Sequence, residues 1–245
     1  MLQKLRIVFF LNMLVVILSC SKGENNTIIE PSGFKAEKVL FIGNSHTFFN
    51  GGINTILKGF TDISNLPYSP EIKNIAVGGY TLEDHWNHQA TQDMIDSKEW
   101  DVIVLQENSI RAATDVNAMF EFASKFENKA SSIGAKVYFF MTWAYENQPQ
   151  MTDQLDANYH QVARQLSSTV VPVGLAFKDF IATNNSIHLY ASDSIHPSQA
   201  GSFLSACLFY KELYNKNPAS NSYTGTINQG DADVIKAFIQ NYNGN

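Results

Sequence analysis

From Lys38 to Val173, short runs rich in β-branched and aromatic residues alternate with longer segments whose apolar residues fall at helical spacing. No other feature of the 245-residue chain limits its fold as much. Parallel strands cannot be joined by a tight turn, so this alternation is the pattern of a parallel sheet with crossover helices. Five runs read as strands: Lys38–Ile42 ending at Gly43, about Lys73–Val77 ending at Gly78-Gly79, Asp101–Gln106, Lys136–Trp143 and Val170–Val173. Between them, Ile53, Ile56, Leu57, Phe60 and Ile63 share one helix face. Val116, Met119, Phe120, Ala123 and Phe126 share a second, and Leu155, Tyr159, Val162 and Leu166 a third. Thr81 with Asp84, and Asp115, stand where helix caps are expected. A short helix is expected near 175–182 and a final long one after Pro197. The spacing predicts an α/β fold, a three-layer α/β/α sandwich with a five-stranded parallel sheet, over residues 37–245. Sites in such sheets form beyond the carboxyl ends of the strands.

The first twenty residues follow a different rule. Lys4 and Arg6 precede an apolar run, Ile7 to Leu18, broken only by Asn12. Twelve residues span about 18 Å as a helix, short of the roughly 20 residues a membrane span needs, so the run reads as an export signal. Ile17-Leu18-Ser19-Cys20 resembles the bacterial lipobox, which implies a lipidated Cys20 at the start of the mature chain. The expected organisation is a signal peptide over 1–19, a flexible tether over 20–36 and one domain over 37–245. The expected location is the bacterial cell envelope, with the lipid on Cys20 as the membrane partner.

Composition narrows the function. Seventeen Lys and Arg stand against 23 Asp and Glu, a net charge of −6 that becomes −8 once Lys4 and Arg6 leave with the signal. Such a chain has no cationic surplus for a nucleic-acid backbone. Cys207 is the second of two cysteines, so the domain must rest on its core without an internal disulfide. It lies in an apolar run, Ala206-Cys207-Leu208-Phe209, and reads as a small core residue. His85 and His88 have a spacing that can bind metal, but no third ligand is evident, and no metal or organic cofactor is expected.

The first strand ends in Gly43-Asn44-Ser45-His46-Thr47, and far along the chain stands Asp193-Ser194-Ile195-His196-Pro197. A serine that attacks an acyl carbon needs a base and a group that orients the base. With two residues between them and a helix ahead, Asp193 can meet one ring nitrogen of His196 while the other faces Ser45. His46 reads as pocket lining or local hydrogen bonding. Trp143 and Tyr145, after the fourth strand, are either substrate-lining residues or core anchors.

Phe41-Ile42-Gly43-Asn44-Ser45 resembles the nucleophile block of the SGNH (GDSL-type) hydrolases, and Asp193-x-x-His196-Pro197 resembles their terminal block. Val77-Gly78-Gly79-Tyr80-Thr81 and Gln106-Glu107-Asn108-Ser109 resemble the two blocks between. The likeness is to the exported branch with G-N-S-x-T at the nucleophile. It implies a flavodoxin-like sheet, catalytic Ser45, His196 and Asp193, and an oxyanion hole of Ser45 N–H, Gly79 N–H and the Asn108 side chain. Asn44 replaces the usual Asp, Gln106 a Gly and Ser109 an Asp, which leaves Gln106 as the alternative oxyanion donor to Asn108. The implied activity is a serine esterase acting on a small acylated substrate, with O-acetyl groups on a glycan favoured by the exported setting. A lipase or thioesterase for longer acyl chains, and a non-catalytic glycan-binding lipoprotein, are the alternatives. Substitution of Cys20 by Ser should move the protein from the membrane to the soluble fraction; unchanged fractionation refutes the lipid anchor.

Overall fold

The computed structural model describes residues 34–184 and 186–244; the expected signal peptide, Cys20 and the tether as far as residue 33 lie outside the described residues. In chain order the elements are β1 (Lys38–Gly43), α1 (Ser45–Phe48), α2 (Ile53–Asp62), β2 (Glu71–Ala76), α3 (Leu82–Trp86), α4 (Gln89–Asp96), β3 (Val102–Leu105), α5 (Ser109–Thr114), α6 (Val116–Ser132), β4 (Lys136–Phe140), α7 (Met151–Gln165), β5 (Thr169–Val171), α8 (Val173–Thr183), α9 (Gln199–Tyr214) and α10 (Gln229–Asn241).

The strands form one five-stranded sheet in the order β2-β1-β3-β4-β5, and every pairing is parallel. β1 and β3 occupy the middle and are buried along almost their whole length, as strands covered on both faces must be. Alternate residues point to opposite faces. Leu40, Ile42, Ile103, Leu105 and Phe139 join one core layer with Leu82, Ile95, Met119, Leu155 and Tyr159 from the helices between α3 and α7. Phe41 and Phe140 point the other way, where both meet the edge or face of the Phe209 ring of α9, at 5.0 and 5.2 Å. On that side Phe60 of α2 packs on Phe203 and Tyr210 of α9, at 5.2 and 5.1 Å.

The α/β/α sandwich matches the sequence expectation; several boundaries move. β2 begins at Glu71, because Glu71 N–H donates to the Glu37 carbonyl at 2.7 Å and extends the ladder backwards. β4 ends at Phe140, three residues before Trp143, since β5 is short and Phe140 pairs with its last residue, Val171. Pro172 has no N–H to continue that ladder, so Val173 opens α8 instead of closing β5. The final long helix is followed by another, α10, which lays Ile235 and Ile239 inward and packs against α9. Cys207 is fully buried within α9, and burial pushes its thiol well up, as suits a core residue. Ala36, expected in the tether, is buried against the domain.

At the carboxyl end of β1 the chain passes Gln106 so closely that only glycine fits. A Cβ on Gly43 would lie 2.4 Å from Thr47 Oγ1 and 2.5 Å from Gln106 Oε1. Gly43→Ala should therefore cost about 1–3 kcal/mol of stability, the usual range for overpacking. Urea unfolding reads this directly, and an unchanged midpoint at unchanged slope would show that the contact yields.

Candidate active site

Five chain segments converge beyond the strand ends around a cavity of about 370 Å³ lined by Ser45, His46, Gly79, Asn108, Tyr145 and His196 among others. The segment after β1 is fixed first. Gln106 Oε1 accepts from Asn44 N–H at 2.7 Å and from Thr47 Oγ1–H at 3.0 Å, and Gln106 Nε2 donates to the Glu107 carbonyl at 2.7 Å. Asn44 also caps α1, accepting His46 N–H on Oδ1 at 3.2 Å, and its Nδ2 donates to the Tyr80 carbonyl at 2.9 Å. Ser45 thus stands at the head of a one-turn helix whose cap, Asn44, is bonded to the segments that follow β2 and β3.

His196 arrives on the turn before α9. Its Nδ1 lies 2.6 Å from Asp193 Oδ2, while Asp193 Oδ1 accepts the N–H groups of Ile195 and His196 at 3.0 and 2.9 Å. The His196 hydrogen bond and then these two backbone donors hold the Asp193 carboxyl down to about 2. Asp193 is therefore an anion near neutral pH, and it selects the tautomer of His196 with the proton on Nδ1. The turn itself is restrained from outside: Ser194, at φ 60°, donates from Oγ to Glu146 Oε2 at 2.7 Å, and Glu146 N–H donates to the Ser194 carbonyl at 3.0 Å. The His196 ring stacks on Phe49, with centroids 4.5 Å apart and planes 12° apart. Phe49 and Glu146 carry no motif, so only the folded chain identifies them.

Gly79 sits at φ +76° in the turn after β2, a conformation that glycine adopts without strain. Its carbonyl accepts from Asn108 Nδ2 at 3.3 Å, which leaves the second amide proton of Asn108 for another acceptor. The Ser45 and Gly79 N–H groups donate to no acceptor among the described residues. Three donors thus border one cavity. Asn108 Oδ1 is engaged in capping α5, accepting from Ile110 and Arg111 N–H at 3.0 and 3.3 Å, so the side chain cannot turn freely.

Gln106, the alternative donor, is fully buried and its amide is committed to Asn44, Thr47 and Glu107. It braces the nucleophile segment and does not line the cavity. Trp143 is likewise a core anchor and not a lining residue. It stacks on Phe177 at 4.2 Å, and its Nε1–H donates to the Ile195 carbonyl at 3.0 Å, tying the histidine turn to the end of β4. Tyr145 does face the cavity. His85 bridges the Gly43 carbonyl, 2.7 Å from Nε2, and Thr91 Oγ1, 2.9 Å from Nδ1, so its ring is occupied. No metal-binding group of three ligands occurs among the described residues.

No family model and no curated protein matches the chain. Solved structures do. One is a protein from Slackia heliotrinireducens described as a putative SGNH hydrolase, 25% identical, with a TM-score of 0.62 over 72% of this chain and 98% of that one. The chain is a hydrolase of the SGNH fold. A DUF4886 family protein from Bacteroides uniformis shares the fold at 17% identity and a TM-score of 0.64, covering 83% of this chain and 93% of that one. So does an acetylxylan esterase from Geobacillus stearothermophilus, at 18% identity and a TM-score of 0.58, covering 73% and 94%. At 17% and 18% identity these two likenesses show the shared fold.

His46 lies beside Ser45 with both ring nitrogens buried and unpartnered, its ring 4.8 Å from Trp143 and 5.7 Å from His196. Burial first, and then the charge of His196, lower it to about 3, against a smaller opposing pull from Asp193. It is neutral at neutral pH, and neither ring nitrogen hydrogen-bonds to Ser45. A histidine whose folded value lies below its unfolded value takes up its proton first in the unfolded chain, so stability falls as pH drops from about 6.5 towards 3. His46→Phe should therefore flatten the acid side of the stability curve. Denaturant midpoints at pH 7 and pH 4 test this, and an equal loss in wild type and variant would refute it.

Proposed function

We propose that the chain is a serine esterase that removes O-acetyl or similarly small acyl groups from a carbohydrate. The observation that carries this reading is the convergence of the Asp193–His196 pair, Ser45 and three outward donors on one cavity. In this mechanism Ser45 Oγ bonds to the acyl carbon while its proton passes to His196 Nε2, and Asp193 stabilises the imidazolium through Nδ1–H. The electron pair displaced onto the carbonyl oxygen is met by Ser45 N–H, Gly79 N–H and Asn108 Nδ2. Collapse breaks the bond to the alcohol oxygen, which leaves with the proton from His196. Water then attacks the acyl-enzyme, gives its proton to His196, and Ser45 recovers it as the acid departs.

The acyl size is supported by the fold shared with an acetylxylan esterase and by the modest cavity. Export on a Cys20 lipid would place the site where envelope or environmental glycans occur. Hydrolysis of p-nitrophenyl esters tests the reading. Ser45→Ala should lower kcat on the acetate ester on the order of 10⁴-fold or more. Equal rates would remove the serine mechanism, and faster turnover of long-chain esters by wild type would remove the short-acyl assignment.

A further inference from the structure

Glu107 is a fully buried carboxylate with no place in the mechanism above. It follows β3 directly, and its Oε1 accepts two backbone protons, from Asn108 N–H at 2.7 Å and from Leu82 N–H at 3.2 Å. These two donors belong to different segments. Asn108 carries one proposed oxyanion donor on its own side chain. Leu82 opens α3 three residues beyond Gly79, behind a capping box in which Thr81 and Asp84 bond reciprocally. The segments meet again on the outer side, where Asn108 Nδ2 donates to the Gly79 carbonyl. A closed loop of contacts therefore runs from Gly79 through Leu82, Glu107 and Asn108 back to Gly79.

The choice of residue is costly. Burial raises the Glu107 carboxyl to about 7 against the pull of the Asn108 and Leu82 N–H groups and Arg111, and Oε2 has no hydrogen-bond partner. The nearest cation, Arg111 Nε, stands 4.0 Å from Oε2 and is itself drawn to Glu83 on α3 by a 2.8 Å pair with Nη2. A buried carboxylate with one oxygen unpartnered is a poor device for stability alone. Tyr159 also reaches this point, with its hydroxyl 3.2 Å from the Glu107 N–H, so the residue's backbone is fixed as well.

We propose that Glu107 is a positioning residue that sets the spacing of the oxyanion donors, with one carboxylate oxygen holding the Gly79 and Asn108 segments in register. The inference rests on the esterase reading and goes beyond it by naming what aligns the hole. Glu107→Gln keeps an oxygen for the two N–H donors but loses the charge that strengthens both bonds, and it turns an NH₂ group towards Arg111. Misplaced oxyanion donors weaken only the transition state, so kcat should fall while KM stays.

The test is a cycle of wild type, Glu107→Gln, Asn108→Ala and the double variant, assayed on p-nitrophenyl acetate beside Ser45→Ala. The expected result is about a tenfold loss of kcat for Glu107→Gln with KM within about twofold, shrinking to less than about twofold in the Asn108→Ala background, because coupled residues are not additive. A wild-type kcat, a loss carried in full into the Asn108→Ala background, or a loss confined to KM would each overturn the proposal. If Glu107→Gln does not fold, Glu107→Asp, which keeps the charge and withdraws it by one methylene, is read by the same criteria. Failure of both to fold overturns the proposal in favour of a purely structural role. Ser45→Ala as active as wild type would instead remove the esterase reading itself, a result separable from any outcome of the cycle.

Discussion

The contact on which the site depends is the passage of Gly43 against Gln106 at the adjacent carboxyl ends of β1 and β3. Because β1 and β3 are neighbours at the centre of the sheet, the chain leaving one strand must negotiate the side chain leaving the other. Glycine makes room, and Gln106 fills it with an amide that takes the Asn44 N–H and the Thr47 hydroxyl. An apolar side chain at position 106 would leave both of those donors unpaired and buried, at a cost of about 1–3 kcal/mol each. The proposed nucleophile therefore owes its place to a neutral amide two residues ahead of the proposed oxyanion donor. That sequence proximity lets one strand end serve both loops.

The same economy appears around the rest of the cavity. Trp143 stands at the end of β4 and holds the Ile195 carbonyl; Glu146 holds Ser194; Phe49 gives the His196 ring a face to lie on. Trp143 and Glu146 act on the Asp193–His196 turn from the loop between β4 and α7, and Phe49 from the segment after α1, so this exposed turn is held from two separate segments. A short turn with one residue at positive φ would otherwise sample several arrangements, and the distance between His196 and Ser45 would vary with them.

The sheet, the order of the blocks and the Asp193–His196 pair were legible in the sequence because each has a local cause. Continuous apolar runs mark buried parallel strands, glycines mark their exits, and only two residues separate a carboxylate from the histidine it meets. In the sequence Gln106 stays an alternative donor because a side-chain amide near an oxyanion site can either donate into the cavity or brace the loop beneath it. Only the position of Asn44 and Thr47 across the strand gap decides between these. Trp143 stays open between lining and packing for a related reason: its ring stacks on Phe177, 34 positions away, a contact with no sequence period. α10 was missed although Asn228 caps it, since its inward face is matched to α9 and carries no link to the strand pattern.

Charge states at the site follow from environment and not from residue type. Asp193, largely in water and bonded by three donors, stays ionised to about pH 2. Glu107, dry and bonded on one oxygen, is raised to about 7. His46, dry and unbonded, falls to about 3. The proposed mechanism creates one positive charge, on His196, and the nearest group able to oppose it would be a second cation 5.7 Å away at His46. By keeping that ring in an apolar pocket against Trp143, the fold leaves Asp193 as the carboxylate that answers the imidazolium, with no neighbouring cation to raise its energy. The buried, unpartnered nitrogens of His46 are then intelligible: a hydrogen-bond acceptor beside them would stabilise the protonated ring, and with it the charge that the reaction must avoid.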